Sequence, residues 1–338
     1  MAQKIEFWIL TSTEDQASQT IKKHLLKHYD FEDYPETDES LPIWEGYHTF
    51  LLKKEKPDQT ILDLVNIRLV QTDRPLIHAD ENLDTAQLQE LYKAHFIIFA
   101  SRHRSKSGIP ALLTHTTGNW NDSDESGGSP NSIARSSGVL LRLAYKNLVK
   151  YENEYDLSWR VDLEVNHHGP TELSSPLIFM ELGSSKEKDT HKGGAAAVGD
   201  AIINTIQDYI RFLTEKTQIK DYIRNHEKIL QDDLYFYIKE SLKPCKLNFS
   251  LGFGGSHYAR NFSKVYDGDN TYYFSHIIPK YYIEDFSQEH LEMMISRSIE
   301  PIKSFTIDWK GVNSAQKQIL IKLFDENDLK MVKTKDIK

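Results

Sequence analysis

The sequence predicts an α/β protein with a mixed, mainly parallel sheet flanked by helices, and three observations carry that expectation. Phe96–Ala100 is a short, fully apolar run of the kind buried on both faces of a parallel sheet, and Leu177–Leu182 is another apolar strand, interrupted by Glu181 alone. Long amphipathic patterns alternate with such runs along the chain. Four polar loops rich in Gly, Ser and His follow strand-like segments, where open α/β sheets gather ligands. Length alone allows two domains, but the pattern is read here as one domain over residues 1–338.

The elements follow in order. Lys4–Leu10 alternates and then becomes continuously apolar, a first strand. Thr13-Glu14-Asp15 opens a helix, with acids where the dipole favours them and Ala17, Ile21, Leu25 and Leu26 on one face. Tyr47–Leu52 and Leu62–Val70 read as strands from their aromatic and branched side chains. After Phe96–Ala100 comes a polar loop, Ser101–Gly108, and Pro110–His115 resumes as a strand. Residues 121–131 have loop composition throughout and are expected to be mobile. A helix is expected from Ser132 to Tyr151, then a half-buried strand over Ser158–Asn166 that ends at His167-His168-Gly169-Pro170. Leu177–Leu182 is followed by a helix from Gly194 to Glu215, whose Ala195-Ala196-Ala197 run permits close approach to the sheet. Lys246–Phe253 and Tyr272–Ile278 are strands, and a strand–helix extension occupies residues 304–338, with Phe305–Trp309 and Ser314–Phe324 as its elements.

Composition removes several function classes. Cys245 is the only cysteine, so internal disulfides, cysteine-based zinc fingers and iron–sulfur sites are excluded. The longest early apolar run, Phe7–Leu10, is too short for a signal peptide core or a membrane span, so a cytoplasmic protein without membrane attachment is expected. Lys plus Arg number 41 against 50 Asp plus Glu, a net charge of −9. Any RNA partner must therefore be held by a local basic patch.

Fourteen histidines, several clustered, are the unusual count. His167 and His168 lie on adjacent positions, and the Gly-Pro turn after them can redirect both into one pocket. Imidazole serves equally as zinc ligand and as general base near neutral pH, and both roles stay open. Glu164 on the same strand and Glu181 on the next are the supporting carboxylates. Gly254, Gly255 and Ser256, just before His257 and Tyr258, can expose consecutive N–H groups to an oxyanion or phosphate. Arg102, Arg104 and Lys106 form the densest basic cluster and are candidates for RNA phosphates. His103 within that cluster and His115 after it are further metal-ligand candidates. Trp120 is read as core, the His24/His28 pair as a solvated helix face, and the lysine-rich tail from Lys330 chiefly as solubilising.

Several long motifs, in order, resemble the D-aminoacyl-tRNA deacylase family of the archaeal and plant type. They are Ser101–Ala111, Thr114–Trp120, Asn166–Thr171, Phe179–Ser184, Gly254–Tyr258, His276–Tyr281 and Asp308–Gly311. The resemblance implies a phosphorylase/peptidyl-tRNA hydrolase-like fold and a zinc-dependent hydrolase, the number of ions open. Its substrate would be the ester joining a D-amino acid to the terminal ribose of tRNA, a step of translation quality control. His103, His115, His167, His168, His257 and His276 fall in matching motifs, and Lys280 joins the substrate-binding set. Ser256 stands where a third glycine is expected, Arg260 where a proline is, and Ser275 where a glycine precedes His276.

The resulting expectation assigns His167, His168, His257 and Glu164 to catalysis, and His103, His115, His167, His168 and Glu181 to metal. Arg102, Arg104, Lys106, Gly254, Gly255, Ser256, Tyr258 and Lys280 are assigned to the tRNA end, and the protein is expected to be a monomer. The rival expectations are a zinc amidohydrolase or peptidase acting on small substrates, and a non-catalytic RNA-binding module.

Overall fold

Strand β1 (Ile5–Ser12) is apolar on both faces, with Ile5, Phe7 and Ile9 buried in one core and Trp8 and Leu10 in another. It therefore takes a central place in a sheet covered on both sides. The computed structural model describes residues 3–33, 49–54, 59–80, 94–327 and 329–337. Residues Tyr47 and His48 of the expected second strand, and Lys338 of the tail, lie outside the described residues.

The first half of the chain continues as α1 (Gln16–His28), β2 (Asp30–Asp33), β3 (Phe50–Lys54), α2 (Gln59–Leu62), β4 (Val65–Thr72), β5 (Phe96–Arg104) and β6 (Ala111–His115). A two-residue ribbon, β7 (Gly118–Asn119) with β8 (Ser132–Ile133), precedes α3 (Gly138–Glu154), β9 (Arg160–Leu163), β10 (Leu177–Ser184) and α4 (Lys192–Lys216). Then come α5 (Ile219–Asn225), α6 (Gln231–Leu242), β11 (Asn248–Gly255), α7 (Arg260–Asp267) and β12 (Tyr272–Pro279). The chain ends with α8 (Gln288–Arg297), β13 (Ser304–Ile307), α9 (Ser314–Asp325) and β14 (Lys330–Lys333).

The expected mixed α/β architecture is present, but the strands divide between two main sheets. An eight-stranded sheet runs β2-β3-β4-β1-β5-β10-β6-β9, and a four-stranded sheet runs β12-β11-β13-β14. Around β1 the pairing is parallel; β10–β6, β2–β3 and β3–β4 are antiparallel. The smaller sheet is parallel throughout. Helices α1, α3 and α4 bury their apolar faces in the largest core. A second core, with Phe253, Phe305 and Phe324, fills the side of the smaller sheet, and Trp120 is buried in it as expected.

The two sheets are joined by one stretch of backbone. Leu163 belongs to β9 in the large sheet and the Glu164 N–H still donates to Thr114 there. The Val165 N–H then donates to the His257 carbonyl and the Asn166 N–H to the Ile277 carbonyl, both beside the smaller sheet. The strand expected over Ser158–Asn166 is thus a short strand followed by a crossing.

Three local expectations change. Ser101–Arg104 is not loop but the end of β5, in register with Glu181–Ser184 of β10. Strand alternation buries Ser101 and His103 and turns Arg102 and Arg104 outward. The helix expected from Ser132 begins at Gly138, because the Ser137 side chain accepts from the Leu140 N–H and the Glu300 carboxylate accepts from the Gly138 N–H. Gly254 and Gly255 lie inside β11, buried. A Cβ on Gly254 would lie 2.4 Å from Val312 Cγ1, and one on Gly255 2.6 Å from Val165 Cγ1. The glycine run lets the Asp308–Gly311 turn and the crossing segment press onto the strand. Residues 121–131 remain without helix, and their backbone is tied down by the Asn119 side chain, which donates to the Ser123 and Gly128 carbonyls.

His24 and His28 stack on each other, and His24 Nε2 lies 2.7 Å from Asp200 on α4. Asp200 also accepts from Tyr29 at 2.9 Å and Tyr155 at 2.5 Å, so one carboxylate gathers α1, α4 and the end of α3. Burial works to raise its pKa, but the hydrogen bonds from His24, Tyr155 and Tyr29 outweigh that and hold it below the usual aspartate value.

A carboxyl lowered in the folded state contributes stability above its unfolded pKa and loses it as pH falls through the folded one. Asp200→Asn is expected to cost about 1–3 kcal/mol at pH 7 in denaturant unfolding. The gap from wild type should close as the pH drops below about 4. Gly254 has φ +100, so Gly254→Ala adds backbone strain to the clash with Val312. It should cost at least about 1–3 kcal/mol in the same measurement.

Candidate active site

Four strand ends supply the site. β5 brings His103, β6 brings His115, β10 brings Glu181, and the crossing after β9 brings Glu164, His167 and His168. His257 and Tyr258 come from the loop after β11, held by a bridge between Glu164 and Tyr258.

Adjacent residues on an extended strand point to opposite faces, yet His167 and His168 share one pocket. His168 adopts φ +46, a left-handed conformation uncommon for a side chain of this size, and that twist redirects it. Gly169 follows where a Cβ would sit 2.2 Å from the Gly128 nitrogen, so the 126–128 segment closes directly over the pair. The Gly169 N–H donates to the Ser126 carbonyl there.

The imidazoles form a contiguous group. Ring centroids are 4.1 Å apart for His115–His167, 4.4 Å for His167–His168, 4.6 Å for His167–His257 and 4.9 Å for His115–His168. Each of His115, His167 and His168 donates from Nδ1 to a backbone carbonyl, of Thr116, Val165 and Gly169, at 3.0, 2.8 and 2.6 Å. That fixes the ring orientations and leaves Nε2 with the free lone pair.

Carboxylates face them. Glu181 lies 3.3 Å from His103 Nδ1 and 3.7 Å from His115 Nε2. Glu164 lies 3.1 Å from His257 Nε2, 3.8 Å from His103 Nδ1 and 3.9 Å from His115 Nε2. His103 Nε2 meets the Tyr258 hydroxyl at 3.1 Å, and the Tyr258 ring packs under the Arg160 guanidinium, 3.9 Å from its centroid.

The electrostatics split the histidines. Burial works to lower His103 and His115, but the Glu181 carboxylate beside both, hydrogen-bonded to His103, and the charge of Glu164 outweigh it and raise each above the usual value. His167 and His168 have little such help. Burial and the neighbouring His115 charge push His167 well down and His168 to about 3, so both are neutral at pH 7. Burial opposes ionisation of Glu181, yet His103 and His115 hold it well below the ordinary glutamate range.

Among the described residues, three sets have donor atoms all within 4.8 Å of one another: His115, His167 and His168; Glu164, His167 and His257; His103, Glu164 and Glu181. Both Glu164 oxygens and His115 Nε2 are buried without any hydrogen-bond partner. Such orphaned atoms in a polar cluster mark a site built around something further.

The cluster opens into a cavity of about 330 Å³ that His103, His167, His168, Glu181 and His257 line together. His257 stands at the mouth, its side chain 46% exposed. The sequence reading missed the rest of the wall, Glu14 and Asp15 at the start of α1 and Pro75, Leu76 and Ile77 after β4. The acidic helix start was visible, but nothing local to either segment pointed toward the histidines.

The remaining sequence-derived candidates are dispersed. Arg102 lines the cavity, with its guanidinium on the Glu14 carbonyl at 3.1 Å. Arg104 also reaches it but is held in a two-pronged ion pair by Asp189. Lys106 is exposed beyond the strand end, and Lys280 is exposed in the turn after β12, where the Gln316 side chain binds its carbonyl. The Ser256 hydroxyl donates to the Tyr258 carbonyl, and neither it nor Gly254 and Gly255 lines the cavity. His276 is fully buried apart from the group and accepts from the Asn166 side chain; burial pushes it down to about 3.

Fold and site together define an α/β protein with an imidazole–carboxylate centre at the ends of its sheet strands. The model of the D-aminoacyl-tRNA deacylase family matches residues 91–332, most of the chain and all of the centre. The chain belongs to that family. A D-aminoacyl-tRNA deacylase of Pyrococcus furiosus is 30% identical over 325 residues, covering 96% of this chain and 98% of that one. One from Methanocaldococcus jannaschii is 29% identical, covering 75% and 88%. The crystal structure of a conserved protein of unknown function shares the fold, with a TM-score of 0.71 at 25% identity over 100% of this chain and 98% of that one.

Proposed function

We propose that this pocket hydrolyses the ester between a D-amino acid and the terminal ribose of tRNA, releasing both. The observation that carries the reading is the convergence of His103, His115, His167, His168, His257, Glu164 and Glu181 beside one cavity, with buried ligand-type atoms left unpaired. Family membership supplies the substrate class, since the relatives are named for this activity.

Zinc fits the donor set. Neutral imidazoles and carboxylates are its ordinary ligands, and the three rings pinned through Nδ1 offer Nε2. His115, His167 and His168 would hold one ion, and Glu164, His167 and His257 are the overlapping alternative. Bound there, zinc would supply a water acidic enough to attack at neutral pH.

The chain's own groups do the rest. His257, solvent-facing and 3.1 Å from Glu164, takes the proton of the attacking water at Nε2, and Glu164 steadies the resulting imidazolium. His103, bridged between Glu181 and Tyr258, holds a proton for the leaving ribose oxygen. Glu14 places negative charge on the wall where the substrate's amino group enters, and Pro75 and Leu76 give that wall an apolar portion for its side chain. Arg102, which lines the cavity, adds positive charge there for the RNA end. The chain works as one catalytic unit over residues 1–338 and, as an enzyme of tRNA, in the cytoplasm. Among the described residues no helix is long and apolar enough to cross a membrane.

Deacylation of D- and L-aminoacyl-tRNA, with and without a chelator, tests the reading. Wild type should release the D-amino acid selectively and stop when chelated; L-selective or chelator-insensitive turnover would remove the stereochemical or the metal part. His168→Ala and Glu164→Gln should each lower kcat by about 10²-fold or more while unfolding cooperatively. Added zinc should raise the Tm of wild type but not of His167→Ala, since a ligand of the native state alone stabilises it.

A further inference from the structure

Outside the catalytic pocket, a second cavity of about 240 Å³ is lined by Asn261, Lys264, Asp308, Trp309, Lys310 and Lys335, among others. Its floor follows from β11. The glycines there admit the turn after β13: the Gly311 N–H closes on the Asp308 carbonyl at 2.9 Å, and a Cβ on Gly311 would sit 2.8 Å from the Gly254 carbonyl oxygen. That turn carries Trp309. Lys317 from α9 and Lys333 from β14 lie over its indole, at 4.8 and 4.2 Å from the ring centroid.

Five lysines thus crowd one small surface: Lys264, Lys310, Lys317, Lys333 and Lys335. Among the described residues none of them makes an ion pair. Asp308 is the carboxylate of the lining, and it faces Asn261, whose side-chain amide donates to it at 2.9 Å, and the Gly311 N–H. On a chain of net charge −9, five lysines without an ion pair, set against the single lining carboxylate of Asp308, create a local positive field.

The surface is also joined to the catalytic loop. Residues His257 and Tyr258 run directly into α7, which begins at Arg260 and contributes Asn261 and Lys264 to the cavity. By contrast, the arginines near the catalytic cavity are engaged, Arg104 by Asp189 and Arg102 by the Glu14 carbonyl.

We propose that this lysine cluster around Trp309 binds the phosphodiester backbone of the tRNA substrate, beyond the terminal nucleotide that enters the catalytic pocket. The partner is recognised by charge and spacing rather than by base, because lysines contact phosphates without reading sequence. The indole serves as the fixed plate that keeps Lys317 and Lys333 beside the other lysines. The inference rests on the deacylase reading for the identity of the RNA.

The test uses the full chain with Lys264→Gln, Lys310→Gln and Lys335→Gln, singly and combined. Uncharged tRNA binding is measured across a salt series, and hydrolysis is compared for D-aminoacyl-tRNA and for the D-aminoacyl ester of adenosine alone. The triple variant should reduce the slope of log affinity against log salt by about two to three, roughly 0.7–0.9 per lost phosphate contact. It should raise KM for D-aminoacyl-tRNA and leave kcat and turnover of the adenosine ester at wild-type values. A wild-type slope and KM in the triple variant would overturn the proposal, as would unchanged tRNA binding with lost binding to phosphatidylserine vesicles. If wild type hydrolyses neither ester, the deacylase reading fails while the tRNA salt slope still reports on the lysines.

Discussion

Glu164 and Glu181 are two carboxylates withdrawn from water in a space crowded with imidazoles, and the structure depends on keeping that arrangement tolerable. An isolated buried carboxylate would cost several kcal/mol, so each must face positive charge or donors. Glu181 achieves this through His103 and His115, which rise in pKa as it falls. Glu164 has imidazoles within 3.1–3.9 Å but no hydrogen bond, and His115 Nε2 has none either. A fold that maintains such unpaired atoms trades stability for a site with unused valence, which is the condition metal binding and proton transfer require.

The architecture follows from bringing these groups together. No single strand carries more than a few of them, so β5, β6 and β10 must end side by side and the segment after β9 must cross to the smaller sheet. That crossing leaves Glu164 hydrogen-bonded through its N–H to Thr114 and bridged to Tyr258, at the seam of the two sheets. The left-handed backbone at His168 and the close approach of the 126–128 segment at Gly169 are local consequences of turning two successive side chains into one cavity.

Charge is distributed with similar economy. The basic run Arg102–Lys106 reads in sequence as one RNA-binding loop, yet strand geometry divides it: His103 turns inward to Glu181, Arg104 turns outward to Asp189, and Lys106 extends past the strand end. The glycine run after β11 also acts differently from its composition. Its lack of side chains seats the turn that carries Trp309, and so links the catalytic loop to the lysine-rich cavity.

Hydrophobic periodicity and strand–helix alternation were enough to specify the α/β class, the central apolar strands and most element positions, because burial of an apolar face is written into local spacing. Polar residues at strand ends, from His103 to His257, also marked the centre, since such residues are costly in a core without a purpose. The division into two sheets was invisible, because sequence records which faces are apolar and not which strands pair. Helices α5 to α8 do not stand out in the sequence, because each is short, 7 to 12 residues, and buries its apolar side chains against partners distant in the chain. Whether a charged residue serves a ligand or a neighbour depends on contacts across more than fifty residues, as between Arg104 and Asp189. Only the folded chain decides those.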